Sequence, residues 1–234
     1  MLAVLDGPVR VAYDLVTGLA SALHPLTGDL SAALAIVVFT AGVRLAPHPL
    51  TRRQAAADRA RRRLAPQVGA LRERHRDDPL RAQQEVTALY RAEGTSAFAG
   101  IGPALVQMPV FAVVYRLFLS PAVGGHANLL LADTLFGVPL GSRWLTSAGA
   151  FGPHGLVFLA LFVLLAAVAW WASRRMHTGQ AIPAGPAGRV MRLLPFGTVA
   201  IAAYVPLAAG LYLLTSTAWS TAERALLWRG GASG

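Results

Sequence analysis

Long apolar runs alternate with short polar stretches along this chain, and the runs have the length of bilayer crossings. A hydrocarbon core of about 30 Å needs roughly 20 helical residues at 1.5 Å each. From Leu30 to Thr51 the only charge is Arg44. Between Glu93 and Arg116 the segment Ala97–Tyr115 is clean, and Pro153–Ser173 carries no charge. Leu193–Ala222 is uncharged for 30 residues, about 45 Å as one helix and too long for an upright span. Pro206 breaks the helical ladder, so this run reads as two spans bending near Val205-Pro206. The pattern predicts an all-α polytopic membrane protein with five transmembrane helices: 30–50, 97–119, 154–173, 190–205 and 207–227.

The remaining segments are expected outside the bilayer. In residues 1–29, Val9, Ala12/Tyr13, Val16, Leu19/Ala20 and Leu23 share one helical face, while Arg10, Asp14, Thr17 and Ser21 share the other. That is an amphipathic helix, either lying in the interface or packed on the bundle. Asp6, Arg10 and Asp14 interrupt any signal-peptide core. Residues 51–93 are the one long hydrophilic stretch. Leu64, Val68 and Leu71 form a stripe, Asp77-Asp78-Pro79 is a turn signal, and Leu80, Val86 and Leu89/Tyr90 form a second stripe. A cytoplasmic helical hairpin is expected. Residues 120–153 read as an outer loop draped on the membrane, 174–189 as a cytoplasmic loop, and 228–234 as a cytoplasmic tail.

Composition strengthens the membrane reading. Of 234 residues, 55% are hydrophobic and only 14% charged, against about 25% charged in soluble domains; mean hydropathy is +0.50. There is no cysteine, which excludes disulfides, thiolate metal sites and cysteine nucleophiles. The net charge of +10 comes entirely from arginine on the basic side. Residues 51–93 hold 11 arginines and 6 acids, 173–192 carry +4 and 223–234 carry +1, whereas 1–29 carry −2 and 120–154 are neutral. By the positive-inside rule the N-terminus is expected outside and the C-terminus in the cytoplasm.

Candidate chemistry concentrates at Arg44, about 10 Å inside the expected cytoplasmic boundary. A guanidinium at mid-span costs on the order of 3 kcal/mol on insertion scales. Arg44 either snorkels to nearby headgroups or stands in a wet cavity that it keeps positive at every pH. Gln107, two positions before Pro109, needs a polar partner or water at mid-span. Thr40, Thr198, Thr215, Ser216 and Thr217 add hydroxyls that are able to bond back to their own helices. His48 reads as interfacial. Arg59, Arg61, Arg62 and Arg63 form a basic face, either solvated beside anionic lipid or docking an RNA-rich or acidic partner; no interleaved aromatics point to sequence-specific nucleic-acid reading. No P-loop, dinucleotide or metal-ligand pattern occurs, and no nucleophile–base pair or paired carboxylates lie within the spans, so no cofactor and no enzyme activity are expected.

Arg44 with Pro49-Leu50-Thr51 and Gln54 resembles the end of the first core span in YidC-type membrane protein insertases, the YidC/Oxa/Alb family. Gly100-Ile101-Gly102-Pro103 and Gln107-Met108-Pro109-Val110-Phe111, then Tyr115, resemble the second span; Pro206–Tyr212, Ser216 and Trp228-Arg229-Gly230 resemble the last. The similarity runs over roughly residues 30–230. Ser96-Ala97, Ile101, Ala208-Ala209, Leu213 and Ser216-Thr217 depart from the usual motifs and mark a divergent member.

The resemblance implies a hydrophilic groove open to the cytoplasm and closed outside. In it Arg44, Gln107, Thr40 and Ser216 would hold the polar flank of a nascent membrane protein, with the ribosome and the Sec translocon as partners. A small-solute or anion transporter and a non-inserting assembly scaffold are the alternatives. The transporter expects a second gate or an internal repeat, and neither is visible in the sequence.

Overall fold

The computed structural model describes residues 5–46, 63–94, 102–145, 152–176 and 196–229. It is mostly helical and divides into two compact units, Met1–Leu45 with Phe111–Arg229, and Ala46–Val110 with Gly230–Gly234.

In the first unit, α1 (Asp6–Thr27) buries Val9, Ala12 and Val16, leaves Arg10, Asp14 and Ser21 exposed, and packs mainly on the next helix. Its amphipathic face is therefore spent on protein contact. Gly28 ends it at φ 54°, ψ −128°, a conformation open to glycine. A 3-10 turn, Gly28–Leu30, leads into α2 (Ser31–Leu45). The buried face of α2 is built from Ser31, Ala32, Ala33, Ala35, Ile36 and Thr40; all but Ile36 are small and let neighbouring helices approach closely.

Helix α5 (Gly102–Leu119) begins in the second unit and ends in the first. It is closed by a side chain rather than a glycine: Asn128 donates through Nδ2 to the carbonyls of Leu117 at 2.7 Å and Ser120 at 3.0 Å, accepting-group satisfaction that a helix end requires. Residues 120–145 are not a plain draped loop. They contain two antiparallel ribbons, β1 (Ala122–Val123) with β2 (His126–Ala127) and β3 (Thr134–Leu135) with β4 (Val138–Pro139), around a 3-10 turn at Leu129–Leu131. Glycines at positive φ (124, 125, 137) make these tight reversals, so a mostly helical chain carries a small β cap.

Helix α6 (Pro153–Met176) buries Phe158, Leu161, Leu165 and Ala169 along one stripe, while Leu156, Leu159, Val163 and Leu164 are exposed. An exposed apolar face of this kind is expensive in water and ordinary in lipid. Helix α7 (Gly197–Tyr204) stops where Val205 turns extended (φ −90°, ψ 160°) before Pro206, and α8 (Leu207–Arg229) follows. Among the described residues, two helical stretches are long and apolar enough to cross a membrane, Asp6–Leu45 and Gly155–Arg174. Helix α8 crosses α6 so closely that a Cβ on Gly210 would sit 2.6 Å from Leu161 Cδ2.

The second unit contains a helical hairpin. Helix α3 (63–74) and helix α4 (Pro79–Ala92) share a core of Leu64, Val68 and Val86, with Leu71, Leu89 and Tyr90 against it. Asp78 caps α4, accepting from the Arg81 amide at 3.0 Å, with Pro79 in the first turn. Leu80, which the sequence placed on the apolar stripe, is 78% exposed. The hairpin core of Leu64, Val68, Val86, Leu71, Leu89 and Tyr90 does not include it.

Candidate functional site

The first unit brings two of the sequence's candidates into contact. Arg44 lies in the last turn of α2, and its Nη2 donates to Ser216 Oγ on α8. Ser216 is buried, and Arg44 is half-buried, with its Nε shielded from solvent and without a partner. Among the described residues no carboxylate pairs with Arg44. Among the described residues the charge is therefore held on a neutral hydroxyl. An unpaired buried donor costs about 1–3 kcal/mol, and water or an oxygen-rich ligand relieves that cost.

The other hydroxyls behave differently. Thr40, one turn before Arg44, is fully buried and donates to its own helix at Ile36 O, 2.6 Å away. Thr215, Thr217, Ser220 and Thr221 on α8 likewise bond back to the carbonyls of Leu211, Leu213, Ser216 and Thr217. Ser216 is thus distinguished by its partner. Sequence reasoning passed over Trp219, whose indole Nε1 is buried without a partner. It stands three positions after Ser216 on the same helix, a spacing that puts it on an adjoining face.

The remaining candidates are less informative. Gln107 belongs to α5, but its side chain falls outside the described set, as do Arg59, Arg61 and Arg62. Arg63 is mostly exposed at the start of α3 and pairs with Glu93 just past α4, so it closes the open end of the hairpin. Arg116, which the sequence left at a span end, is engaged by Asp6 of α1 at 2.6 Å, and Arg10 reaches the Gly124 carbonyl at 3.5 Å. The first contact ties the start of α1 to the end of α5, and the second brings it to the β1–β2 turn.

Comparison with known proteins comes down on one side. The sequence profile described as 60Kd inner membrane protein matches residues 22–231. The Membrane protein insertase YidC of Zymomonas mobilis is 31% identical over 186 residues, 79% of this chain and 31% of the relative. That of Acidiphilium cryptum is 35% identical over 127 residues, 54% of this chain and 20% of the relative. The ALBINO3-like protein 1, chloroplastic, of Arabidopsis thaliana is 30% identical over 218 residues, 86% of this chain and 44% of that protein. The chain spans less than half the length of each of these relatives.

Proposed function

The chain belongs to the 60Kd inner membrane protein family, and from that premise we propose that it is a membrane protein insertase. It receives nascent membrane proteins in a groove around Arg44 and releases their apolar segments to lipid. The observation that carries this reading is a permanent positive charge, half-buried on α2, whose partner among the described residues is a buried hydroxyl on α8. With no acid paired to it among the described residues, this charge is free to attract the acidic or polar flank of a client. Ser216 holds the guanidinium in place without neutralising it. Trp219, one turn after Ser216 on α8, adds a buried donor to the same helix, and Gln107 and Thr40 are assigned to the same groove by resemblance.

The energy comes from the client. Each apolar residue entering mid-membrane returns ~0.3–0.6 kcal/mol, so a span of roughly 20 residues gains enough to draw a short polar tail across. No bond is made or broken, and neither nucleotide nor cofactor is needed. The arginine distribution supports five spans with the N-terminus outside, the C-terminus in the cytoplasm, and the α3–α4 hairpin on the cytoplasmic side. The basic run Arg59, Arg61, Arg62 and Arg63 belongs to this cytoplasmic segment by sequence and suits anionic lipid or an acidic partner, and the ribosome and the Sec translocon are the partners that the resemblance implies.

Purified protein in liposomes tests this. A single-span client with a short acidic tail is expected to become protease-protected with wild-type protein, at least tenfold less with Arg44→Ala, and in part with Arg44→Lys. Equal protection by Arg44→Ala removes the charge from the mechanism. No insertion of any client by the wild type favours an assembly scaffold, and solute uptake favours a transporter.

A further inference from the structure

A second site lies away from Arg44, where α5 ends and α8 begins. A cavity of about 420 Å³ there is lined by Leu119, Pro121, Leu131, Ser142, Arg143 and Pro206, within the size range of small-ligand pockets. We propose that it binds the head group of a phospholipid, with the Arg143 guanidinium on the phosphate and the apolar wall along the glycerol and first methylenes.

The charge is available. Arg143 is exposed, with no hydrogen bond or ion pair among the described residues. Asp133 is the one acid between residues 120 and 145, and it does not line the cavity. A guanidinium presents a planar fork to two phosphate oxygens.

The walls are built before any ligand arrives. The Leu207 amide donates to Ser142 O and the Ala208 amide to Leu140 O, both at 2.9 Å, and the Gly141 amide donates to Leu131 O at 2.8 Å. The β cap is thereby tied to the otherwise unpaired first amides of α8. A Cβ on Gly141 would lie 3.0 Å from Leu131 O, so glycine is what allows that close seating.

Two further features place the cavity at head-group level. Trp144, the next residue, packs its ring on Phe158 at 5.9 Å and on Phe162 at 5.6 Å, at the start of the stretch Gly155–Arg174. Tryptophan at the end of such a helix is an interfacial anchor. Phe136, at the tip of the β3–β4 ribbon, takes φ 51° and is 71% exposed. A bulky residue in the left-handed region is strained, and at a ribbon tip Asn or Gly is the ordinary choice. Dipping the ring into the acyl boundary offsets that cost. Four of the six lining residues named are apolar. Inorganic phosphate has no use for such a wall, and a lipid does.

The test uses the full chain in detergent. Dihexanoylphosphatidylglycerol, titrated below its micelle concentration, is expected to raise the Tm of the wild type, and Arg143→Gln to need at least tenfold more lipid for the same rise. Inorganic phosphate at equal concentration is expected to do nothing. A second measurement does not depend on the folding of a variant. Intact-mass spectrometry of wild-type protein after stepwise delipidation is expected to show one retained phospholipid, displaced by the short-chain lipid and not by phosphate. Identical titrations for wild type and Arg143→Gln, or the absence of any retained lipid, overturn the site. An Arg143-dependent rise with inorganic phosphate alone overturns the lipid assignment in favour of a free-anion site.

Discussion

Arg44 on α2 and Ser216 on α8 meet through a side-chain hydrogen bond across 172 positions of sequence. This contact joins two helices that also pack on each other, and it decides which way the guanidinium leans. Arg44 is turned toward protein, onto a buried hydroxyl.

Ser216→Ala removes the acceptor and leaves the charge. Losing a hydrogen bond of this kind is worth ~1–3 kcal/mol for a charged donor. The groove reading expects a fewfold drop in insertion of the acidic-tailed client, smaller than that of Arg44→Ala. The double variant is expected to be no worse than Arg44→Ala alone, because both changes act through one contact. Additive losses in the liposome assay would separate the two residues.

Gly210→Ala places a methyl group 2.6 Å from Leu161 Cδ2. Overpacking of this kind costs about 1–3 kcal/mol. The contact is with the terminal methyl of a buried leucine, so the expected result is a modestly lower Tm in detergent, with the Gly210→Ala/Leu161→Ala double variant losing less than the sum of the two single losses. No change in Tm would mean that α6 and α8 approach less closely than described.

Asn128→Ala strips the last carbonyls of α5 of a buried donor. The expected loss is about 1–3 kcal/mol. Asn128→Asp is expected to be no better, since a carboxylate donates nothing and repels those carbonyls. Amide exchange at the end of α5 and in residues 120–128 reads this directly; full protection in Asn128→Ala would contradict the capping role.

Asp133 is exposed on one side and packed on the other, and this partial desolvation raises its pKa above the ordinary 3.8, an effect that water on the open side weakens. A carboxyl raised in the folded state binds its proton there more tightly than in the unfolded chain. Stability is therefore expected to fall as pH rises from about 3.8 through the raised value, and to stay lower above it. Asp133→Asn is expected to abolish this slope and to be neutral or slightly stabilising at pH 7. Thermal melts at graded pH check it, and a wild-type curve parallel to that of Asp133→Asn would refute it.

The amino-acid sequence by itself determined the helical character and the membrane class, because both follow from run length and local periodicity. It also marked the α3–α4 turn at Asp77-Asp78-Pro79, where the cap and the proline act within four residues of each other. The face of α1 was legible at Val9, Ala12 and Val16, but a stripe of apolar residues looks the same whether lipid or protein covers it. Packing on α2 was a tertiary matter. The same holds for the hydroxyls: Thr40 and Ser216 are alike in sequence, and only the position of α8 gives Ser216 the guanidinium while Thr40 turns back to Ile36. The β cap was hidden because two-residue ribbons are too short to show a period, and their stability comes from Asn128 and the amides of α8. Local order is written in neighbours along the chain; which polar group meets which is settled by contacts between residues far apart in it.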